Sequence, residues 1–596
     1  MLSDRKICTV LQYISILSII VLLINRQQYV VPSMIMACFV LTLFVILLHY
    51  QGHKLISEYR TILFQKKVIL FVLAIMGILA LSVIEWAKSD IFDFSSGVSL
   101  FRVIYIGYLF LVIIPLLLVS FGFGLLWMYQ NRVDISVNQK SSPATVRNSM
   151  LIMIVPVLLV LISGYPGLFH SDGAWVLWGA LEKGPLADWV PITYDFIVSV
   201  LVRPFEHPLP VLLFQSYLFL IAQYNAVKIL CRRTKDLYCY IYSICVVIFG
   251  FSAIINMDVF YKDSLFFPSL FGFMIMLLLT QENPCYRNLV SLVIWGVLAS
   301  CMRHGAIMII IGTLLICALV YLKENKQQAI KTIICLISIM LLWGGLRSCL
   351  FAVNKAEKTP QYVTYSVPLY MLASWVSSDR DIDNDTIELM EKVMPINQWK
   401  ENYQSNIYLA DTVSRSWYVS NISVVDELDL HGDIIYANWR YFRNYPLDYL
   451  SNFFNINSIV WEMSTPKDGY EWGTHSFVNS ELETVQKLIP EFDVEPTLAT
   501  NIMSPIAKFT KSFPIINMIS YRGGLFLYIT LSIMAFMLVD KDKKWVICLP
   551  SIISALLLMF SIPAQDSRYI MPILVNGLFI MMYYISKPVL RTEKER

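Results

Sequence analysis

The chain has 596 residues, of which 57% are hydrophobic and only 15% are charged. Soluble domains are about 45–50% apolar and about 25% charged, so this composition excludes a soluble globular enzyme and predicts a polytopic α-helical membrane protein. The net charge of +3 is a small difference between 46 basic and 43 acidic residues, and it indicates no nucleic-acid partner.

Apolar runs long enough to cross a bilayer recur along the chain. They lie near residues 7–25, 30–48, 68–86, 103–128, 149–164, 208–230, 237–256, 264–281, 288–302, 305–322, 331–350, 523–539, 545–561 and 569–586. The expected fold is an all-α polytopic membrane protein with about 14 transmembrane helices and a mostly helical extracytoplasmic domain.

Basic connections alternate with the apolar runs and set the expected topology. They lie at residues 54–67, 132–147, 231–235, 323–331, 541–544 and 587–596. Because cytoplasmic loops carry an excess of Lys and Arg, both termini are expected in the cytoplasm. The predicted parts are N-terminal transmembrane helices (1–148), a transmembrane module (149–350) with an outer loop at 164–208, an extracytoplasmic domain (351–522), and C-terminal transmembrane helices with a basic tail (523–596).

The polar stretch at 351–522 is expected to form helices outside the bilayer. Asn384 precedes an amphipathic run, Ser480 and Glu483 have the spacing of a capping box, and aromatic residues from Trp439 to Phe453 predict a helix on the membrane surface. None of the 11 Cys falls in this stretch, so disulfides do not stabilise it, which indicates a bacterial envelope protein in the plasma membrane.

Charged residues avoid the centres of the apolar runs and gather at their predicted outer ends. They occur in four connections: Asp172, Glu206 and His207; Asp258, Lys262 and Asp263; Arg303 and His304; Asp566 and Arg568. A charge at the bilayer centre costs about 3 kcal/mol, which explains the avoidance. If the helices form a bundle, these connections converge on one outer site.

The loop at 164–208 contains the main candidate for catalysis. Ser171 and Asp172 stand where a helix is expected to begin, with Trp175, Trp178 and Leu181 on one face along the membrane surface. Asp172 there is suited to accept a proton from a hydroxyl group or to bind a divalent cation. The alternative is that Ser171 and Asp172 only cap the helix.

The basic candidates are suited to phosphate recognition, and each has a structural alternative. Lys262 offers a point charge and Arg303 and Arg568 offer forked donors. Asp263 and Asp566 could instead pair locally with these cations, and Arg303 could extend to lipid headgroups. His207 could bind a metal or orient a phosphate. Its structural alternative is that of an ordinary helix-start residue before Pro208.

The chain contains no P-loop, dinucleotide fingerprint, zinc pattern or HExxH motif, so ATP-driven chemistry has no support. At the charged loops it resembles the GT-C superfamily of integral membrane glycosyltransferases, and more closely a related bacterial multi-spanning family of unknown function. The resembling stretches are 165–175 with Asp172, 206–209, 261–263 and 302–305, with weaker echoes at 367–373, 444–450 and 568–572.

The resemblance implies an enzyme that moves a sugar from a polyprenyl-phosphate donor to an envelope glycan, lipid or protein. In that role Asp172 corresponds to the catalytic acid of the first loop and acts as a base or holds a divalent cation. Substrate binding is expected from His207, Lys262, Asp263, Arg303, His304 and Arg568. The chain departs from the family pattern: Asp172 stands in Ser-Asp-Gly rather than in paired acids, and His207-Pro-Leu replaces His-Pro-Pro.

Two other functions fit the sequence. A transporter or flippase of a lipid-linked glycan is suggested by the number of spans, although the helix centres lack charges and no inverted repeat is evident. A non-catalytic envelope scaffold would use the 351–522 region for binding.

Overall fold

The computed structural model describes residues 142–586, except 170, 235, 324, 357, 417 and 463–497, together with residues 11–16, 42, 44–46 and 48–50. Most of the four apolar runs predicted before residue 141 therefore lie outside the described residues. So do the helix expected at Ser480 and the basic tail.

The described chain is all-α and begins with a series of apolar helices. These are α1 (Pro143–Ser163), α2 (Ser171–Leu181), α3 (Ile192–Val202), α4 (Leu209–Cys231), α5 (Asp236–Phe249), α6 (Phe251–Ile255), α7 (Lys262–Glu282), α8 (Tyr286–Met302), α9 (Ala306–Leu322) and α10 (Lys326–Asn354). Local sequence sets the start of α1, because the Ser142 side chain accepts a hydrogen bond from the Ala144 N–H and Pro143 fits the first helical position.

Short helices fill the polar region that follows. They are α11 (Ser366–Ser377), α12 (Asn384–Val393), α13 (Ile396–Ser405), α14 (Asp411–Ser414), α15 (Val424–Glu427), α16 (His431–Asn444), α17 (Pro446–Ile456), α18 (Ser458–Trp461), α19 (Leu498–Ser512) and α20 (Pro514–Ser520). The chain then returns to apolar helices: α21 (Gly524–Val539), α22 (Leu549–Ser561) and α23 (Met571–Ile585).

Among the described residues, six helical segments are long and apolar enough to cross a membrane: Pro143–Ser163, Leu209–Cys231, Lys262–Glu282, Lys326–Asn354, Lys543–Ser561 and Ser567–Ile585. Every apolar run predicted within the described residues contains a helix, but α5, α8, α9 and α21 are shorter than these six. The all-α membrane architecture is confirmed. The number of about 14 transmembrane helices stays a prediction.

Burial identifies the centre of the helix bundle. In α7, 94% of the apolar window is buried, against 39% in α1 and 28% in α10. Helix α7 therefore occupies the middle of the bundle, where it packs against α4, α8 and α23, while α1 and α10 lie at its edge. The first residues of α7 are consequently surrounded by the ends of other helices.

The polar region has a hydrophobic core of its own between Tyr362 and Ile456. The rings of Trp375 and Tyr441 stack at its centre, with their centroids 4.9 Å apart. Helix α19 behaves differently, because Met503 and Ala507 join the core of the helix bundle and α19 packs along α1. Only part of the stretch predicted as one outer domain therefore shares this second core.

The stretch predicted as an outer loop at 164–208 holds two helices rather than one. The expected surface helix is α2, in which Trp175 and Trp178 are exposed. Helix α3 was not expected. It is apolar and half to fully buried except at Val200, which is exposed. Asp188 accepts a hydrogen bond from the Ile192 N–H at its first turn, which gives this short helix a defined start.

Candidate functional site

Two short backbone bridges bring distant loops together at one end of the bundle. Leu168, just before α2, forms a parallel bridge with Val259, just before α7. The Leu168 N–H donates to the Asp258 carbonyl at 2.8 Å, and the Phe260 N–H donates to the Leu168 carbonyl at 2.8 Å. These bonds hold the first turn of α2 beside the first turn of α7, and thereby set Asp172 close to Lys262.

The second bridge joins the polar region to the start of the last helix. Leu409 pairs with Ala564, and the Ala410 N–H donates to the Pro563 carbonyl at 2.8 Å. Immediately afterwards, the Asp566 carboxylate accepts a hydrogen bond from the Arg568 N–H at 3.0 Å and starts a 3₁₀ turn. This turn presents the Arg568 side chain to the same end of the bundle.

The connection between α8 and α9 turns sharply at Gly305. Its φ of 77° lies in the left-handed region that favours glycine. Arg303 and His304 come just before this residue, so the turn holds both side chains between the ends of the two helices. A bulkier residue with a Cβ would strain the turn even though space is open around it.

A cavity of about 770 Å³ lies where these loops meet. Five of the residues predicted from the sequence line it: Asp172, Lys262, Arg303, His304 and Arg568. The polar region closes the other side with further charged and aromatic residues, which are Lys358, Asp411, Arg415 and Tyr418. Helices from the bundle and the polar region thus build one chamber from segments hundreds of residues apart.

Most of the cavity's cations are already neutralised by acids. The ion pairs are Arg303 with Asp263 (3.1 Å), Arg347 with Asp188 (3.3 Å), Arg415 with Asp411 (2.7 Å) and Arg568 with Asp566 (2.9 Å). Within the described residues, Lys262 and Lys358 line the cavity without an acid at ion-pair distance. Lys262 makes no close ion pair, but the charges of Asp263 and Asp172 attract it from a longer distance.

Asp172 is held as an ionised carboxylate. The Tyr261 hydroxyl donates a hydrogen bond to its Oδ2, and the Trp189 side chain donates a second one. Burial raises the pKa of Asp172, but the nearby charges of Lys262 and Arg568 and these two hydrogen bonds outweigh burial, so the pKa lies below its usual value. A carboxylate that is ionised, half-buried and open to a cavity is able to accept a proton.

Tyr261 connects the carboxylate to the cations. Its ring is buried, and the Arg568 guanidinium lies 3.9 Å from the ring centroid while the Lys262 ammonium lies 5.6 Å from it. Cations favour the face of an aromatic ring. The Tyr261 side chain therefore positions the Arg568 guanidinium on its ring face and the Asp172 carboxylate at its hydroxyl.

Asp263 and His207 occupy other places than the sequence suggested. Asp263 is 2% exposed and lies behind the cavity wall, where it pairs with Arg303 and, at 3.9 Å, with Arg568. His207 does not line the cavity. Its Nδ1 accepts from the Leu209 N–H at 3.0 Å and its Nε2 lies 3.2 Å from the Tyr165 hydroxyl, which is the arrangement of a helix-start residue.

His304 lines the cavity in its neutral form. It is exposed toward the cavity, and desolvation there together with the charge of Lys262 lowers the pKa of His304. At neutral pH the imidazole therefore offers a hydrogen bond rather than a charge.

Asp411 shows the opposite shift to Asp172. Burial raises its pKa, and the neighbouring Arg415 lowers it by less. Two carboxyl groups in one cavity whose environments move their pKa values apart are suited to different proton-transfer roles.

Several cavity residues had no signal in the sequence. Asp188 and Arg347, which pair across 159 positions, fall in no motif, and Lys358, Asp411 and Arg415 come from the polar region. Each is an ordinary surface-type charge in its local sequence. Only the folding of the polar region against the bundle makes them cavity residues.

In the part of the chain that the structure describes, the donors around Asp172 are fewer than a divalent cation needs. Ca²⁺ and Mg²⁺ take several oxygen ligands, commonly from more than one carboxylate. Among the described residues, no group of three or more His, Cys, Asp or Glu side chains is close enough to hold a metal ion, and Lys262 lies beside Asp172. The protein alone therefore does not supply a complete coordination shell there, and a cation at Asp172 would need its other ligands from substrate or water.

One wall of the cavity is apolar. Helix α22 contributes Leu557, Leu558 and Phe560, and α9 contributes Ile309. Phe560 is 67% exposed and the neighbouring Leu556 is 52% exposed, so this wall continues onto the outer surface of the helix bundle. The cavity thus combines a charged floor with an apolar side, an arrangement that suits an amphipathic molecule.

Comparisons of the chain with family models, with curated proteins and with solved structures give no match.

Proposed function

We propose that the protein is a membrane glycosyltransferase that moves a sugar from a polyprenyl-phosphate donor to an envelope acceptor. The observation that carries the proposal is the meeting of Asp172, Lys262, Arg303 and Arg568 in one cavity with an apolar wall. A carboxylate base, a group of cations and an apolar flank are the three features that a lipid-linked phosphosugar requires. The resemblance of the same loops to the GT-C superfamily adds to this support.

Asp172 is the proposed general base. The acceptor hydroxyl gives its proton to an Asp172 oxygen while its own oxygen forms a bond to the anomeric carbon of the sugar. The bond from that carbon to the phosphate oxygen breaks, and the electron pair leaves with the phosphate. Tyr261 keeps the carboxylate oriented through its hydrogen bond, and the lowered pKa keeps it ionised at neutral pH.

Lys262 is the cation best suited to the leaving phosphate. It has no acid at ion-pair distance among the described residues, whereas Arg303 and Arg568 are bound to Asp263 and Asp566. Without a close ion pair, the Lys262 ammonium is able to approach the phosphate oxygens as negative charge develops on them in the transition state. The two arginines would present their remaining N–H groups to the phosphate oxygens, and His304 would orient a hydroxyl.

The apolar wall accounts for the lipid part of the donor. Leu557 and Phe560 on α22 lead from the charged floor to the surface that faces the bilayer. An isoprenoid chain lying along this wall would leave its phosphate near Lys262. No nucleotide site is needed, because the carrier lipid supplies the activated bond.

The finer topology belongs to the same proposal. The cavity lies at the extracytoplasmic side of the bacterial plasma membrane, the two termini and the basic loops lie in the cytoplasm, and the N-terminal residues complete a set of about 14 transmembrane helices. The positive-inside distribution of Lys and Arg supports this orientation.

The test is a reconstituted transfer assay with Asp172→Asn. We expect normal amounts of folded protein in the membrane and a loss of transfer of about 100-fold or more, the usual contribution of a general base. Asp433→Asn is the matched control, since Asp433 is an exposed carboxylate on α16 away from the cavity. Full transfer by Asp172→Asn would remove Asp172 from catalysis. Movement of a labelled lipid-linked sugar across the vesicle membrane without any transfer would favour the transporter instead.

A further inference from the structure

A second cavity, of about 610 Å³, lies at the opposite end of the helix bundle between α1 and α4. Helix α1 has 21 residues and is therefore about 30 Å long; the cavity lies along its first half, from Pro143 to Ile154, whereas its last residue, Ser163, lies toward the Asp172 site. Nothing in the proposed transfer reaction uses it.

The lining of this cavity follows one face of each helix. Helix α1 supplies residues at helical spacing, and helix α4 with its C-cap supplies three residues four positions apart; together they are Pro143, Val146, Arg147, Met150, Leu151, Ile154, Tyr224, Lys228 and Arg232. Three of these are cations and none is an acid. Beyond Arg147, the residues Met150, Leu151 and Ile154 form an apolar strip that runs away from the cations along α1.

The three cations have no acidic partner among the described residues. Arg147 donates only to the Asn148 side chain at 3.4 Å, and the Lys228 ammonium lies 5.8 Å from the Tyr224 ring centroid. Elsewhere at this end, Arg233 and Lys544 both pair with Glu282. Among the described residues, therefore, no acid neutralises the positive charge of the cavity between α1 and α4.

Helix dipoles do not explain all of this charge. Lys228 and Arg232 stand at the C-terminal end of α4, where cations are favourable. Arg147 stands near the N-terminal end of α1, whose first turn contains no acid, and that end already carries partial positive charge. The positive end of one helix and a group of cations from both helices face the same space.

We propose that this cavity binds an anionic glycerophospholipid of the membrane leaflet at that end of the bundle. Its phosphate would lie among Arg147, Lys228 and Arg232, since basic pockets between membrane helices bind lipid headgroups. An acyl chain would lie along Met150, Leu151 and Ile154, of which Leu151 is 50% exposed. A soluble anion would leave this apolar strip unmatched, which is why the occupant is a lipid.

The experiment measures lipid binding to the purified full-length chain in a zwitterionic detergent. Phosphatidylglycerol and phosphatidylcholine with identical acyl chains are titrated, and bound lipid is counted by native mass spectrometry. The wild-type chain is expected to prefer phosphatidylglycerol. The variant Arg147→Gln, Lys228→Gln, Arg232→Gln should bind it about 100-fold more weakly, at about fivefold for each cation removed near the membrane surface.

A matched control removes the same charge outside the cavity. Arg287, Lys323 and Lys326 are exposed at the same end of the bundle and do not line the cavity. Their triple Gln variant should keep wild-type affinity. Equal losses in both triple variants would overturn the proposal, since they would show general attraction to basic residues. If the first triple variant fails to fold, the three single variants should each lose about fivefold, and unchanged affinity in all three would also overturn it.

Two competitors decide between the possible occupants. Glycerol 3-phosphate should not displace phosphatidylglycerol, because it lacks the acyl chains, and displacement at similar concentration would indicate a soluble-anion site instead. Polyprenyl phosphate should compete poorly at this site, and tighter binding than phosphatidylglycerol would replace the phospholipid by the carrier. These outcomes do not depend on transfer activity, so the two proposals fail separately.

Discussion

A single methyl group added at Gly173 tests whether catalysis depends on the position of α2. Gly173 follows Asp172 and is buried against the loop before α7. A Cβ at this position would lie 2.1 Å from the Phe260 carbonyl oxygen, whereas real Cβ atoms essentially never come within 3.0 Å of another atom. The contact is with backbone that the Leu168 bridge fixes, so a rotation of a side chain cannot relieve it.

The expected consequence is a displacement of α2 by about 1 Å relative to α7. The Asp172 carboxylate moves with the helix, while its partner Tyr261 belongs to the loop that stays. A misplacement of about 1 Å can cost about 100-fold in rate, so Gly173→Ala should lower transfer by about that factor. The protein should remain in the membrane, because the large cores of α7 and its neighbours are not touched.

Gly179→Ala is the matched control on the same helix. A Cβ at Gly179 meets nothing within 4 Å, so the substitution adds the same methyl group without a clash. It should leave transfer unchanged and favour the helix by up to about 1 kcal/mol. The assay is initial transfer rate per folded protein in proteoliposomes. If Gly173→Ala keeps more than a third of wild-type activity, or if Gly179→Ala loses as much as Gly173→Ala, catalysis does not depend on this position of α2.

Three further predictions concern charge. Asp263→Asn should lower the free energy of unfolding by about 3 kcal/mol, because it leaves the guanidinium of Arg303 without its buried partner. Thermal unfolding in detergent measures this free energy, and a change below about 1 kcal/mol would contradict the prediction. For Asp172, the lowered pKa means that the carboxylate stays ionised until the pH falls below the usual carboxyl range, so transfer should be retained on mild acidification. Lys262→Gln removes the positive charge of Lys262, which is the largest of the interactions that lower this pKa. The acid limb of the pH–rate profile should therefore move to higher pH. An unmoved limb would exclude Asp172 as the titrating base.

The apolar helices were predictable because the bilayer imposes their composition directly. Each predicted run within the described residues contains a helix, and α8 and α9 end close to the predicted positions. The charged turns were predictable for the same reason, since a charge is tolerated only near the ends of such helices. A constraint that acts on each segment separately, such as the apolar interior of the bilayer, can therefore be recognised from a single sequence.

Features that depend on packing between segments were not predictable. Helix α3 was missed because it is short and lies in a stretch punctuated by Gly and Pro. Arg347 is an isolated cation near the end of α10, and only the fold brings Asp188 to it. For His207 the sequence leaves a binding role and a helix-start role open, because His beside Pro fits both, and its hydrogen bond from the Leu209 N–H is visible only in three dimensions.

The cavity's two best-placed carboxyl groups show how position decides chemistry. Asp411 and Asp172 are the same residue type and face the same space, and burial raises the pKa of both. For Asp411 the attraction of Arg415 and Arg568 does not overcome burial and the repulsion of Asp172. For Asp172 the attraction of Lys262 and Arg568, together with hydrogen bonds from the Tyr261 and Trp189 side chains, does overcome burial. The cations that keep the proposed base ionised are therefore the same ones that would bind the phosphate. When an anionic donor binds, its negative charge would weaken the attraction of these cations for the Asp172 carboxylate. The carboxylate would then become a stronger base as the substrate arrives.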